Sequence, residues 1–208
     1  IVETTKRYGS GAVAVEDTVT GTLTRKRLLI GARIFGNRFA AITEPGEAVG
    51  VLLPNANGAV VTFFGLQSGA RVAAMLNYTS GPANIASAIR TAKIRTVISS
   101  KAFIEKAELG DLVTAINGTG ATIVWLEEVR ETISMQEKLA AAMLWSMPIK
   151  PVKPEDPAVI LFTSGSEGTP KGVVLSHYNM HANAAQADAR VTISVKDTLF
   201  NVLPVFHS

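Results

Sequence analysis

Residues 48–70 read AVGVLLPNANGAVVTFFGLQSGA, a long run without a single charge. Its length would cross a bilayer. Pro54, Asn55, Asn57 and Gln67 interrupt it, and each carries a polar or backbone cost in hydrocarbon. The reading that fits is a strand covered on both faces over residues 49–53, a turn at Pro54-Asn55, and a buried helix marked by Val60, Phe63, Phe64 and Gln67.

The same alternation continues downstream. Residues 71–76 read as strand. Ser80-Gly81-Pro82 opens a helix striped by Ile85, Ala88, Ile89 and Ala92, with proline near its first position. Residues 95–99 are strand, 101–116 helix weakened at Gly110, and 122–126 strand. Residues 130–147 are helix, with Ile133, Leu139, Met143 and Leu144 on its apolar side. Strands and helices in alternation specify an α/β fold: a mostly parallel, doubly wound sheet with helices on both faces and right-handed crossovers. Upstream, Val13-Ala14-Val15 and Thr22-Leu23 flank a turn and read as a small hairpin. Thr24 stands at the N-cap of an amphipathic helix over residues 25–41, where Leu28, Ala32, Phe35 and Phe39 recur at helical spacing.

Prolines at 148, 151, 154 and 157 alternate with Lys150, Lys153, Glu155 and Asp156. This is a stiff connector. It divides the chain into an alternating β/α unit (1–147, opened by the hairpin), the connector (148–157) and a further α/β segment (158–208).

Composition narrows the chemistry. The chain has 208 residues, of which 47% are hydrophobic, so it is not disordered. Lys plus Arg number 20 and Asp plus Glu 17, a net charge of only +3. The isoelectric point of 9.3 reflects that small excess. No basic face is clustered, and Arg25-Lys26-Arg27 reads as a solvated helix start, so nucleic acid is not an expected partner. Cysteine is absent, which excludes disulfides, thiolate metal sites and a thiol nucleophile. Ile1-Val2-Glu3 lacks the basic opening of a signal peptide.

The reactive chemistry lies after the connector. An apolar strand at 158–162 runs into Thr163-Ser164-Gly165-Ser166-Glu167-Gly168-Thr169-Pro170-Lys171-Gly172, and Val173-Val174-Leu175 resumes a strand. Glycines let backbone N–H groups converge on an anion. Thr163, Ser164, Ser166 and Thr169 add hydroxyl donors, Lys171 adds a positive charge, and Pro170 fixes the backbone before it. This is not a Walker A loop, because proline occupies the second glycine's place and glycine follows the lysine. Nor does a dinucleotide-binding Gly-x-Gly-x-x-Gly follow an early strand. His177 and His181 lie one helical turn apart but lack a third ligand, so no metal site is expected. His177 reads as structural at a helix start and His181 as exposed, while Trp125 and Trp145 read as core or cover.

Residues 160–171 resemble the AMP-binding signature of the adenylate-forming enzymes: acyl-CoA synthetases, luciferases and peptide-synthetase adenylation domains. The Leu53-Pro54-Asn55 turn, Ser176-His177-Tyr178-Asn179 and Leu203-Pro204-Val205-Phe206-His207-Ser208 resemble further elements of that family. Glu167 stands where many members carry threonine, and together with the 203–208 element it is most similar to the synthetase part of the bifunctional bacterial acyl-ACP synthetase / 2-acylglycerophosphoethanolamine acyltransferases.

The resemblance implies activation of a long-chain fatty acid by ATP and Mg²⁺ to an acyl-adenylate. The acyl group then passes to a thiol, that of acyl carrier protein or CoA. Thr163, Ser164, Gly165, Ser166, Glu167, Gly168, Thr169 and Lys171 would form the nucleotide site, with Glu167 turned outward from the phosphates. Lys171 and His207 would be the catalytic groups. A cytoplasmic location is implied, with peripheral membrane association through the rest of the protein. The Tyr-Gly-x-Thr-Glu and Thr-Gly-Asp elements of the family, its C-terminal lysine region and the acyltransferase half are not found in these residues. The chain therefore reads as the N-terminal part of the large domain, inactive in adenylation by itself. The alternative is a non-catalytic nucleotide-binding module.

Overall fold

The structure is a computed structural model that describes residues 1–163, 170–191, 193–194 and 197–206. A helix α1 (Val2–Tyr8) precedes a hairpin of β1 (Val13–Asp17) and β2 (Gly21–Thr24). Helix α2 (Arg25–Ala40) follows, its N-terminus capped by the Thr24 hydroxyl, which accepts from the Arg27 amide. Then come β3 (Ala48–Leu52), α3 (Asn57–Ser68), β4 (Val72–Met75), α4 (Pro82–Thr91) and β5 (Thr96–Ser99). Next come α5 (Lys101–Lys106), α6 (Gly110–Asn117), β6 (Thr122–Trp125), α7 (Leu126–Glu131) and α8 (Met135–Leu144). After the connector come β7 (Pro157–Thr163), β8 (Lys171–Ser176) and α9 (His177–Asp188).

Six strands form one sheet in the order β6-β5-β3-β4-β7-β8. The first five run parallel and β8 returns antiparallel at the edge. The mostly parallel α/β sheet read from the sequence is the one observed. The uncharged run at 48–70 is β3, a turn and α3, and no helix among the described residues is long and apolar enough to cross a membrane.

Alternation along the strands builds a core on each face. Val49, Val51, Ala73 and Met75 pack with Ala59 and Leu66 of α3 and Phe39 of α2. Leu52, Val72, Ala74 and Val97 pack with Ile85, Ala88 and Ile89 of α4 and Leu112 and Ile116 of α6. Helices α2 and α3 cross where Gly36 meets Gly65. A Cβ on Gly36 would stand 2.7 Å from the Gly65 carbonyl oxygen and 2.7 Å from Ile149 Cδ1, so only glycine permits this approach.

At the amino end of the sheet a buried guanidinium closes both helices. Arg71 donates to the carbonyls of Ala40, Thr43 and Gly69 and to the Thr43 hydroxyl. It thus occupies the negative ends of α2 and α3 at once. The connector lies across this side, with the amides of Ile149 and Lys150 donating to the Ser68 carbonyl.

Two expectations need correction. The helix read over 101–116 is two helices. The break falls at residues 107–109, where Glu108 adopts a left-handed φ of 53°, and Gly110 begins the second helix instead of weakening the first. The helix read over 130–147 is also two. Of its expected apolar side, Leu139, Met143 and Leu144 are exposed, Met143 by 81%. Against α2 the helix α8 turns the small Ala141, and Glu137, whose carboxylate takes Arg38 Nε at 2.7 Å.

Candidate functional site

Helix α3 follows β3 on one face of the sheet, and α4 follows β4 on the other. The carboxyl ends of β3 and β4 therefore bound the crevice where open α/β sheets bind ligands. What stands along this edge can be traced strand by strand.

Beyond β3, the N-terminus of α3 lacks a side-chain cap of its own. The hairpin supplies one. Asp17 Oδ2 accepts from the Asn57 amide at 2.6 Å, and Asn57 Nδ2 donates to Thr20 Oγ1 and to the Gly21 carbonyl, both at 2.8 Å. Burial alone would raise the Asp17 carboxyl, but hydrogen bonds from Thr20, Asn57 and Val19 outweigh it and hold it below the ordinary aspartate value.

Beyond β5 the pattern repeats with α5. Glu127 accepts from the Ser100 hydroxyl at 2.6 Å and from the amides of Lys101 and Ala102. Burial would again raise this carboxyl, and these hydrogen bonds hold it down instead. A helix N-terminus is a ready anion site. At α3 and α5 the anion is a carboxylate of the chain itself. Their partners lie 40 and 25 to 27 residues away in sequence, and no local motif announced either.

Beyond β4, the Tyr78 ring stands edge-on to two others, Phe103 at 5.0 Å and Phe206 at 4.8 Å. Phe206 is buried. The residues before it are held from the β3 turn: Asn55 Nδ2 donates to the Leu203 carbonyl at 2.6 Å and Asn55 Oδ1 accepts from the Val205 amide at 2.9 Å. The 203–206 element is thereby drawn into the crevice.

Beyond β7 the chain returns directly as β8. Thr163, the last residue of β7, is half-buried and pairs across the hairpin with Lys171, the exposed first residue of β8. The edge thus brings together two of the expected site residues, Thr163 and Lys171. Ser164, Gly165, Ser166, Glu167, Gly168, Thr169 and His207 lie outside the described residues. The hairpin is anchored behind by a capping box at the start of α9. Ser176 Oγ accepts from the Asn179 amide at 3.1 Å, and Asn179 Oδ1 accepts from the Ser176 amide at 3.0 Å. Half-buried His177 donates its backbone amide to the Asp156 carbonyl. Burial lowers the affinity of its imidazole for a proton, against the pull of Asp156. His181 is exposed, and Trp125 and Trp145 are half-buried.

Between this hairpin and α3 lies an apolar cavity of about 850 Å³. Phe63, Met75, Leu161, Leu175, Met180 and Val205 line it, with Asn179 and Asn183 of α9 as its polar groups. Among the described residues no group of three His, Asp or Glu side chains is placed to hold a metal ion.

The sequence matches the AMP-binding enzyme family over residues 2–208. It is 26% identical over 185 residues to the medium/long-chain-fatty-acid–CoA ligase FadD6 of Mycobacterium tuberculosis, covering 85% of this chain and 30% of that one. It is 41% identical over 90 residues to the peroxisomal long chain acyl-CoA synthetase 7 of Arabidopsis thaliana, covering 43% of this chain and 12% of that one. The chain thus spans about a third or less of these relatives. In structure it superposes on the N-terminal domain of FACL13 from M. tuberculosis with a TM-score of 0.80 at 22% identity, over 99% of this chain and 50% of that one. It superposes on ATP-bound MatB from Rhodopseudomonas palustris with a TM-score of 0.74 at 20% identity, over 95% of this chain and 38% of that one. Because the family match runs over residues 2–208, the chain belongs to the AMP-binding enzymes.

Proposed function

We propose that this chain supplies the phosphate-binding hairpin of an AMP-forming acid–thiol ligase acting on a long-chain fatty acid. One observation carries the reading: Thr163 and Lys171 pair across β7 and β8 at the carboxyl edge, closing a sequence of hydroxyl and glycine residues between them. In the first step a carboxylate oxygen attacks the α-phosphorus of ATP and pyrophosphate leaves. In the second a thiol sulfur attacks the acyl carbon, loses its proton, and AMP leaves. Residues 163–169 with Lys171 would hold the β- and γ-phosphates, and Lys171 would balance charge on the departing pyrophosphate. Mg²⁺ would enter as counter-ion to those phosphates, since hard oxygen ligands suit it and it retains waters when bound.

The apolar cavity beside the hairpin suits a hydrocarbon chain, and His207 would be the second catalytic group. Both relatives named above are described as acting with CoA, which favours CoA as acceptor. Similarity to the bifunctional acyl-ACP synthetases, which serve lysophospholipid repair, makes acyl carrier protein the acceptor to set against it.

Fatty-acid-dependent ATP–pyrophosphate exchange tests the reading, followed by transfer assays with each acceptor. Exchange lowered by about 10²- to 10³-fold in Lys171→Ala supports it. ATP binding without exchange in the full-length protein overturns it in favour of a non-catalytic nucleotide-binding module.

A further inference from the structure

Helix α8 carries its large apolar side chains away from the core. Met135, Leu139 and Met143 recur every fourth residue and so share one face, and Met147 continues the row just past the helix end. All four are more than half exposed. The opposite face, where Ala141 is buried, is the one laid on α2. Contacts at both ends hold the helix against rolling to hide the row. Arg38 of α2 secures its start, with Nε 2.7 Å from the Glu137 carboxylate and Nη2 donating to the Thr132 carbonyl at 2.8 Å. Arg33, one to two turns earlier in α2, donates to the Met147 carbonyl at 2.8 Å and secures the far end.

The free charges beside the row are of one sign. Between residues 132 and 154 the sole carboxylate is Glu137, which Arg38 neutralises. Lys138, Lys150 and Lys153 in the same stretch are exposed, and none of them forms an ion pair among the described residues. Half-buried Trp145 caps the helix end, and an indole favours the boundary between water and hydrocarbon. Flexible apolar side chains on a convex helix, edged by lysine, suit a fluid anionic surface. Lipid admits a ridge without offering a matching groove, and lysine stems cover apolar surface while their heads meet phosphate. Protein interfaces are instead depleted in lysine. Pairing the row with a second copy would set lysine against lysine, with no free carboxylate in the stretch to answer it.

We propose that the outer face of α8 is a docking surface for an anionic lipid bilayer, lying in the headgroup plane without crossing it. The inference goes beyond the ligase reading and does not depend on it.

Sedimentation of the full-length protein with vesicles tests it, using phosphatidylcholine alone or mixed with phosphatidylglycerol. Binding to the mixed vesicles is expected, and it should weaken without phosphatidylglycerol or at high salt, where charge is screened. Leu139→Ser with Met143→Ser should lower partitioning about 100-fold at an unchanged melting temperature. Lys138→Gln with Lys150→Gln should lower it about 20-fold, since each lysine near an anionic surface contributes about fivefold. Peroxide oxidation of Met135, Met143 and Met147, read by mass spectrometry, locates the contact: mixed vesicles should slow it in the wild-type protein. Absence of binding, binding that either variant retains in full, or oxidation that vesicles leave unchanged overturns the proposal. Oxidation slowed by raising the protein concentration without lipid, together with sedimentation as a dimer, overturns it in favour of a second copy on this face.

Discussion

After β3 and β5 the chain turns into helices whose first amides are taken by Asp17 and Glu127. After β7 it returns as β8, and the residue that pairs with the strand end is a lysine. Both regions stand on one edge of one sheet, and under the proposed function they would treat negative charge in opposite ways. After β3 and β5 two N-termini that could hold a phosphate are filled from within, so their partial charge stabilises the fold. After β7, hydroxyls, glycines and an exposed cation are gathered in one short stretch. Under the proposed function the contrast divides labour: the parallel strands and their helices would be scaffold, their switch point receives the 203–206 element, and the hairpin would be where an outside anion is met.

The contrast can be broken most decisively at Lys171. Lys171→Ala should lower fatty-acid-dependent exchange in the full-length protein by about 10²- to 10³-fold, while the melting temperature stays put, because the side chain is exposed. A large loss of stability with activity retained would reverse the assignment of roles.

Gly36→Ala probes the scaffold. Its methyl would meet the Gly65 carbonyl and Ile149, and overpacking of this kind costs about 1–3 kcal/mol. Calorimetry should show the loss, and ATP titration of the variant held below its melting point should show wild-type affinity.

Asp17→Asn should cost about 1 kcal/mol, less than is usual for bonds to a charged group, because the carboxyl is only half-buried and solvent screens it. The sign follows from its depressed folded value. The stabilisation is complete above the ordinary value of 3.8 and fades as pH falls through the lower folded value. Melts of both proteins from neutral to strongly acid pH should therefore converge below that point. If Asp17→Asn instead gained affinity for inorganic phosphate without losing stability, the α3 terminus would be a binding site and the contrast would fail. Smallest of all, Leu139→Ser with Met143→Ser should shift stability by no more than about 0.5 kcal/mol, since both side chains already face solvent.

Much of this was readable from residue order. Continuous apolar runs located β3, β4 and β5, Thr24 and Pro82 marked helix starts, and the hydroxyl–glycine stretch was correctly placed between two strands. Periodicity failed at α8, because it records which residues are apolar and not which face a neighbour accepts. The α2 surface offers Arg38, so Glu137 and Ala141 turn inward and the larger side chains turn out. Gly110 misled for a related reason: glycine breaks a helix interior but serves equally well as the first residue of the next. Helix α1 carried no signal that drew notice. The Asp17, Glu127 and Asn55 contacts join residues far apart, and pairs of that kind leave no local pattern. A polar residue just after a buried strand, as Asn55 is, was the one available hint.

The Asn55 clamp also bears on the order in which the molecule assembles. Its two hydrogen bonds join residues 148 and 150 positions apart. Closing so long a loop costs only slightly more entropy than closing one of half the length. The enclosed chain, however, contains β4, β5, β6, β7 and β8, whose non-local pairings form slowly. The topology predicts that Asn55 finds its partners only after those strands are in register. The clamp is then expected late in folding, and protection of the Val205 amide in pulsed hydrogen exchange should lag that of the strand amides.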